Sequence, residues 1–244
     1  ASTREEQVNY YLTGSSDSLE AGLRLLVTGF LTPKFRADEL ERERQVVIGE
    51  YDRNESSPFF RMEQETGKRI YSTQWSRKNV IGDRGVILGT TPEKMRAIQQ
   101  LYYVPNNSVL IIAGDANPVA AFAMAERIFG PWKRGEDPFV RSPVPPIPPL
   151  AGSQAVIVEE NVNAVTVLVQ WQGPSVRRDE AATFVADVYS DVLNNPQSRF
   201  QRRLVDSGLW QTIGVNYYTL NNVGPISVSG QTTPERLREG IRAM

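Results

Sequence analysis

The chain of 244 residues is 40% hydrophobic and 23% charged with a net charge of −1. This is the balance of a globular protein able to bury a core, and it leaves no basic field for nucleic acid. There is no cysteine and no histidine, which excludes disulfides and excludes a Ser-His-Asp or histidine-ligated zinc site built from these residues alone. No apolar run approaches the ~20 residues of a membrane-spanning helix.

Val8, Tyr10 and Leu12 alternate with Gln7, Asn9 and Tyr11, which predicts a half-buried strand within residues 1–13. Gly14 to Asp17 breaks it. Leu19, Leu23, Leu26, Val27 and Phe30 then follow a helical stripe that Thr32-Pro33 closes. A second helix is expected from about Arg36 to Asn54, proline-free, with Asp38, Glu39, Glu41 and Glu43 early, where the helix dipole favours anions. A third runs from Ser56-Ser57-Pro58 to about Tyr71, and residues 72–90, with Gly82, Gly85 and Gly89, read as irregular. Thr91-Pro92-Glu93 starts a helix, with Thr as cap and Pro in the first turn. Val109 to Ala113 reads as a short buried strand, and a helix follows from about Pro118 to Phe129.

Seven prolines between Pro131 and Pro149 mark residues 131–152 as an extended linker between a first domain, 1–130, and a second, 153–244. Beyond it, Ala155 to Val158 and Val165 to Trp171 read as strands, Arg178 to Leu193 as an amphipathic helix and Ser198 to Val205 as a short one. Leu209 to Leu220 and Pro225 to Ser229 read as further strands. Thr233-Pro234-Glu235 echoes Thr91-Pro92-Glu93, a hint of two related halves. The order of elements predicts an α+β protein, with helices packed on mostly antiparallel sheets in two related domains. The chain starts at Ala1 and stops just after a helix opens at Thr233, so both ends read as cuts in a longer protein.

The most informative stretch is Leu40-Glu-Arg-Glu-Arg-Gln-Val-Val-Ile-Gly-Glu50. Glu43 and Glu50 lie about two turns apart with Val46 and Val47 between them, so all four share a face. A face with adjacent valines is expected to look inward, and a carboxylate there needs a cation, a donor or a metal. The same Glu-Arg-Glu-Arg pattern also describes an exposed helix laced by salt bridges. Spacing leaves both readings open.

These residues resemble a known family. Thr3 to Tyr11, Leu19-Glu20, Thr32-Pro33, Leu40-Glu-Arg-Glu-Arg-x-Val-Val-x-x-Glu50, Ser57-Pro58, Tyr103-x-Pro105-x-Asn107, Gly114-Asp115 and Phe129-Gly-x-Trp132 look, in that order, like the pitrilysin/insulinase zinc metallopeptidases. In that family an upstream His-x-x-Glu-His helix supplies two zinc ligands and the general base for the attacking water. The resemblance makes Glu50 the third zinc ligand and Glu43 a supporting carboxylate. It also makes Ala1-Ser2-Thr3 part of the edge on which a peptide substrate adds as a strand. The two histidines are expected upstream of this chain, so the chain alone is expected to bind zinc poorly and to cleave nothing. The family's other half supplies an Arg and a Tyr to the substrate just after a Ser-Arg-Leu helix. Here Ser198-Arg199-Phe200 matches that helix, but Val205 stands where the Arg would be and Thr212 near the Tyr. The chain therefore reads as the zinc-bearing half, with a second homologous half or subunit elsewhere. The function implied is part of a zinc endopeptidase; the alternative is a non-catalytic member serving as a structural or partner subunit. Exported, periplasmic location is favoured by the resemblance alone.

Overall fold

The computed structural model describes residues 1–244. The chain divides into two compact units, Ala1–Asp52 with Val80–Pro145, and Arg53–Asn79 with Pro146–Met244. In chain order the elements begin with strands β1 (Ser2–Thr3) and β2 (Val8–Asn9) and helices α1 (Leu19–Leu31), α2 (Ala37–Glu55), α3 (Phe60–Tyr71), α4 (Trp75–Lys78) and α5 (Arg84–Leu88). Helices α6 (Pro92–Tyr102), α7 (Pro118–Phe129) and α8 (Pro138–Arg141) come next, then β3 (Val165–Gln172), α9 (Glu180–Asn194) and α10 (Arg199–Gln201), which a π-turn over Arg202–Asp206 continues. Strands β4 (Thr212–Tyr217) and β5 (Pro225–Thr232) and helix α11 (Pro234–Ala243) complete the chain. No helix is long and apolar enough to cross a membrane.

The first unit is mostly helical. Its β1–β2 hairpin is antiparallel, with Ser2 opposite Asn9 and Thr3 opposite Val8. Much of the motif that carried the resemblance is structural here. The rings of Tyr10, Phe30, Tyr103 and Trp132 form one cluster, with Phe30 5.5 Å from Tyr10, 4.9 Å from Tyr103 and 5.3 Å from Trp132. The Tyr10 and Tyr103 hydroxyls hydrogen-bond at 2.8 Å. Burial and this bond push the Tyr103 phenol above its ordinary pKa. Asn107 Nδ2 donates to the Tyr102 carbonyl at 2.9 Å and Asn106 Oδ1 accepts from the Gly135 N–H at 3.1 Å, which fixes the turn at Pro105. Glu20 bonds both Arg24 and Arg127, tying α1 to α7.

The second unit is built on a three-stranded antiparallel sheet in the order β3-β5-β4. Leu204, Leu209, Trp210, Ile213, Val215 and Val228 form its core. Gly230 lets β5 pass under Trp210, since a Cβ there would lie 2.8 Å from the indole and 2.6 Å from the Thr212 carbonyl oxygen. In the same unit a Cβ on Gly67 of α3 would lie 2.2 Å from the Trp75 ring.

Three expectations change. The glycine-containing 72–90 stretch is not irregular: it holds a 3₁₀ turn and two short helices, and Asp83 caps α5 by accepting from Gly85 N–H and Val86 N–H. Val109–Ala113 and Ala155–Val158 are not strands, and Ile111 and Ile157 stand 81% and 88% exposed. Their β-branched residues favour extended backbone, but a strand exists only where a partner takes its N–H and C=O groups. The expected strand at 1–13 narrows to two short pieces with exposed side chains for the same reason.

Candidate functional site

Helix α2 carries both singled-out glutamates. Its first turn holds Asp38 and Glu39 and its last turn Arg53, the charge order that complements the helix dipole. Arg36 bonds the Asp38 carboxylate at its start.

The structure corrects the expected orientation of this helix. Glu43 and Glu50 share a face with Val46, but that face is open: both glutamates are exposed and Val46 is 64% exposed. The inward row is instead Leu40, Arg44, Val47, Ile48 and Tyr51, with Ile48 buried. These positions follow the i, i+4, i+8 and i, i+7, i+11 spacings of one helical stripe. Adjacent valines misled because two neighbours on a helix point about 100° apart, so Val47 can turn in while Val46 stays out. Along the axis Glu43 and Glu50 are separated by about 10 Å.

Arg44 is the residue that sequence reasoning passed over. Its side chain is only 17% exposed and lies in the inward row. It donates to the Thr90 carbonyl at 2.6 Å and pairs with Glu41, while its Nε–H is buried without an acceptor. It thereby fastens α2 to the residue just before the Thr91 cap of α6, whose hydroxyl accepts from the Lys94 N–H. Arg84 adds a second tie, bonding Asp52 and lying 5.5 Å from the Tyr51 ring centre. The available signal was position: Arg44 sits four residues from both Leu40 and Ile48.

The remaining candidates are dispersed. Ala1, Ser2 and Thr3 are exposed, and β1 pairs with β2 on one side only. Val205 packs against the core of the sheet unit, Thr212 is exposed opposite Gln231, and Arg202 and Arg203 face solvent. No group of three or more metal-binding side chains comes together. Glu50 offers one carboxylate in a chain without histidine, so these residues by themselves do not fit a zinc ion.

Helices set on small antiparallel sheets in two units are an architecture shared with solved structures. The chain superposes on the crystal structure of a protease from Helicobacter pylori with a TM-score of 0.80, at 22% identity, covering 94% of this chain and 57% of that one. It matches the peptidase M16 inactive domain from Pseudomonas fluorescens with a TM-score of 0.77, at 20% identity, covering 94% of this chain and 56% of that one. Residues 90–244 match the family model described as "Peptidase M16 inactive domain" and residues 1–82 the model "Insulinase (Peptidase family M16)". The chain belongs to peptidase family M16. Among curated relatives it is 25% identical over 213 residues to the zinc protease PqqE of Helicobacter pylori, covering 84% of this chain and 47% of that protein. The chain spans about half the length of the curated relatives it matches.

Proposed function

We propose that this chain is part of a zinc-dependent endopeptidase, to which it contributes Glu50 as a metal ligand, Glu43 as a supporting carboxylate and the Ala1–Thr3 edge as a pairing surface for extended peptide. The two histidines and the general base belong to polypeptide outside these 244 residues. A second homologous half or subunit supplies the Arg and Tyr that the family directs at its substrate. The observation that carries this reading is the open Glu43–Val46–Glu50 face on a helix whose opposite side is fastened by Arg44 and Arg84. Two carboxylates on one open face of a firmly held helix are what a metal site would take from this chain, its remaining ligands coming from another segment of the protein. Main-chain pairing at the β1 edge would hold an extended peptide with little demand on its sequence.

A second reading is supported by the match of residues 90–244 to the inactive-domain model: a non-catalytic member that serves as a structural or partner subunit. Zinc content separates the two. The full natural polypeptide is purified beside Glu50→Gln and Glu43→Gln, and metal per chain is counted. Endopeptidase function predicts about one zinc per chain, lost in Glu50→Gln, with Glu43→Gln weakening affinity by about 10–100-fold, as removal of an outer partner does. Full zinc retention in Glu50→Gln overturns the ligand assignment. Absence of zinc from the unsubstituted protein overturns the enzyme and leaves the partner subunit.

A further inference from the structure

The short helix α10 and the π-turn that continues it are held from within. Ser198 caps them, its Oγ accepting from the Gln201 N–H at 3.0 Å and donating to the Leu193 carbonyl at 2.9 Å. Gln201 Nε2 donates to the Ile213 carbonyl, Leu204 is buried in the sheet core, and Phe200 and Val205 pack against that core. With these four side chains turned inward, Arg199, Arg202 and Arg203 are left together on the exposed side, at i, i+3 and i+4.

None of the three guanidinium groups forms an ion pair or a hydrogen bond. Elsewhere Arg24, Arg42, Arg44, Arg69 and Arg96 each pair with an acid three or four residues away. Here the acid within that reach is Asp206, and it bonds neither Arg202 nor Arg203. The i→i+5 winding of Arg202–Asp206 carries position 206 off the arginine row. Three like charges thus stand side by side on a fixed base with no counter-charge, which is a preorganised arrangement for an anionic ligand. Every positive side chain after Lys133 is an arginine, and the planar guanidinium fork matches carboxylate and phosphate bidentately. The field is narrow, bounded by Asp206, and Phe200, Leu204 and Val205 are turned away from it. It therefore offers neither the breadth that a nucleic-acid backbone needs nor an apolar anchor for a bilayer. A short run of carboxylates fits it.

We propose that Arg199, Arg202 and Arg203 form a docking surface for an extended acidic segment of a partner protein. Arg199 and Arg203 are separated by about 6 Å along the helix axis, and side chains at alternate positions of an extended chain by about 6.6 Å. Two forks therefore engage two alternate carboxylates, and Arg202 adds a third positive charge beside them. The assignment holds for a catalytic and for a non-catalytic member alike, so it does not rest on the zinc reading.

The test uses the full natural polypeptide and a fluorescein-labelled peptide of about eight residues with glutamate at alternate positions, read by fluorescence anisotropy at low salt. The expected result is one peptide per chain and an affinity that falls as salt rises. Arg199→Gln/Arg202→Gln/Arg203→Gln is expected to weaken it about tenfold, the effect of three exposed charge pairs. Arg177→Gln/Arg178→Gln, which removes a second exposed pair of arginines, keeps the parent affinity. Replacing Arg199, Arg202 and Arg203 by lysine keeps the charge without the fork and also weakens binding. Absence of binding overturns the proposal, as does binding untouched by the triple glutamine variant or an equal loss in Arg177→Gln/Arg178→Gln. Full affinity in the lysine variant overturns it too, since charge alone then suffices. Binding to phosphatidylserine vesicles but not to the peptide overturns it and assigns the face to a membrane surface. If the triple variant does not fold, phenylglyoxal modification of the unsubstituted protein, mapped by peptide mass spectrometry, decides. The peptide is expected to protect Arg199, Arg202 and Arg203, and equal modification with and without it overturns the proposal.

Discussion

Asn194, the last residue of α9, closes the outer edge of the sheet. Its Nδ2 donates to the Val215 carbonyl at 2.7 Å and its Oδ1 accepts from the Val215 N–H at 2.9 Å. Gln201 Nε2 donates to the Ile213 carbonyl at 3.0 Å on the same rim. One amide side chain thus imitates a neighbouring strand for the buried Val215, which would otherwise present an unpaired N–H and C=O at the edge of β4. A neutral hydrogen bond contributes about 0.5–1.5 kcal/mol net, and a buried backbone group left without a partner costs about 1–3 kcal/mol. Asn194 itself is exposed, so water reaches the vacated rim and the lower ends apply. Asn194→Ala is therefore expected to destabilise the protein by about 1–2 kcal/mol. For a chain of this size that lowers the Tm by about 2–8 °C. Asn194→Asp keeps the acceptor for the Val215 N–H but sets an anionic oxygen against the Val215 carbonyl. It should cost at least as much at neutral pH and recover part of the loss in acid, where a protonated carboxyl can donate. Urea unfolding followed by far-ultraviolet circular dichroism measures both, and light scattering reports any association through the opened edge. An Ala variant within about 0.5 kcal/mol of the parent would refute the reasoning, because that is the effect of an ordinary surface change.

Gly67→Ala places a methyl group inside the Trp75 ring, so something must shift; overpacking of this kind costs about 1–3 kcal/mol, and Trp75→Leu in the same chain should return part of it in a double-mutant cycle. Leu204→Ala empties the centre of the sheet unit, where Leu204 is essentially inaccessible. A loss of about 2–5 kcal/mol is expected by urea unfolding, and less than 1 kcal/mol would mean that the site collapses freely. Tyr103 has a folded pKa above its unfolded value, by burial first and by the bond to Tyr10 second. The unfolded chain therefore loses this proton first. The contribution to stability is whole below about pH 10 and falls as pH rises beyond it. Tyr103→Phe should cost about 1 kcal/mol at neutral pH, by loss of one hydrogen bond, while flattening the decline in stability above about pH 10. An unchanged alkaline profile in Tyr103→Phe would contradict this assignment.

The helices were legible in the sequence because their signals are local. The proline-free charged run gave α2 to within a residue or two, Thr91-Pro92 gave the start of α6, and the aliphatic period gave α1 and α9. The Glu43/Glu50 pair and the ordered motif around it placed the chain among the insulinase-type peptidases before any fold was known. Tertiary structure decided what local pattern leaves open. Which stripe of α2 turns inward depends on what it packs against, and Arg44, fastened to Thr90, takes a place that hydropathy would give to a leucine. Whether Val109–Ala113 and Ala155–Val158 become strands depends on a neighbour for their backbone groups. Asn194 and Gln201 as substitutes for a strand could not be read from their own positions, because their hydrogen-bond partners are brought near only when β4 folds back along α9. Short-range propensity and capping fix a helix one turn at a time, whereas burial, strand pairing and side-chain bonds to distant backbone exist only after the chain has closed on itself.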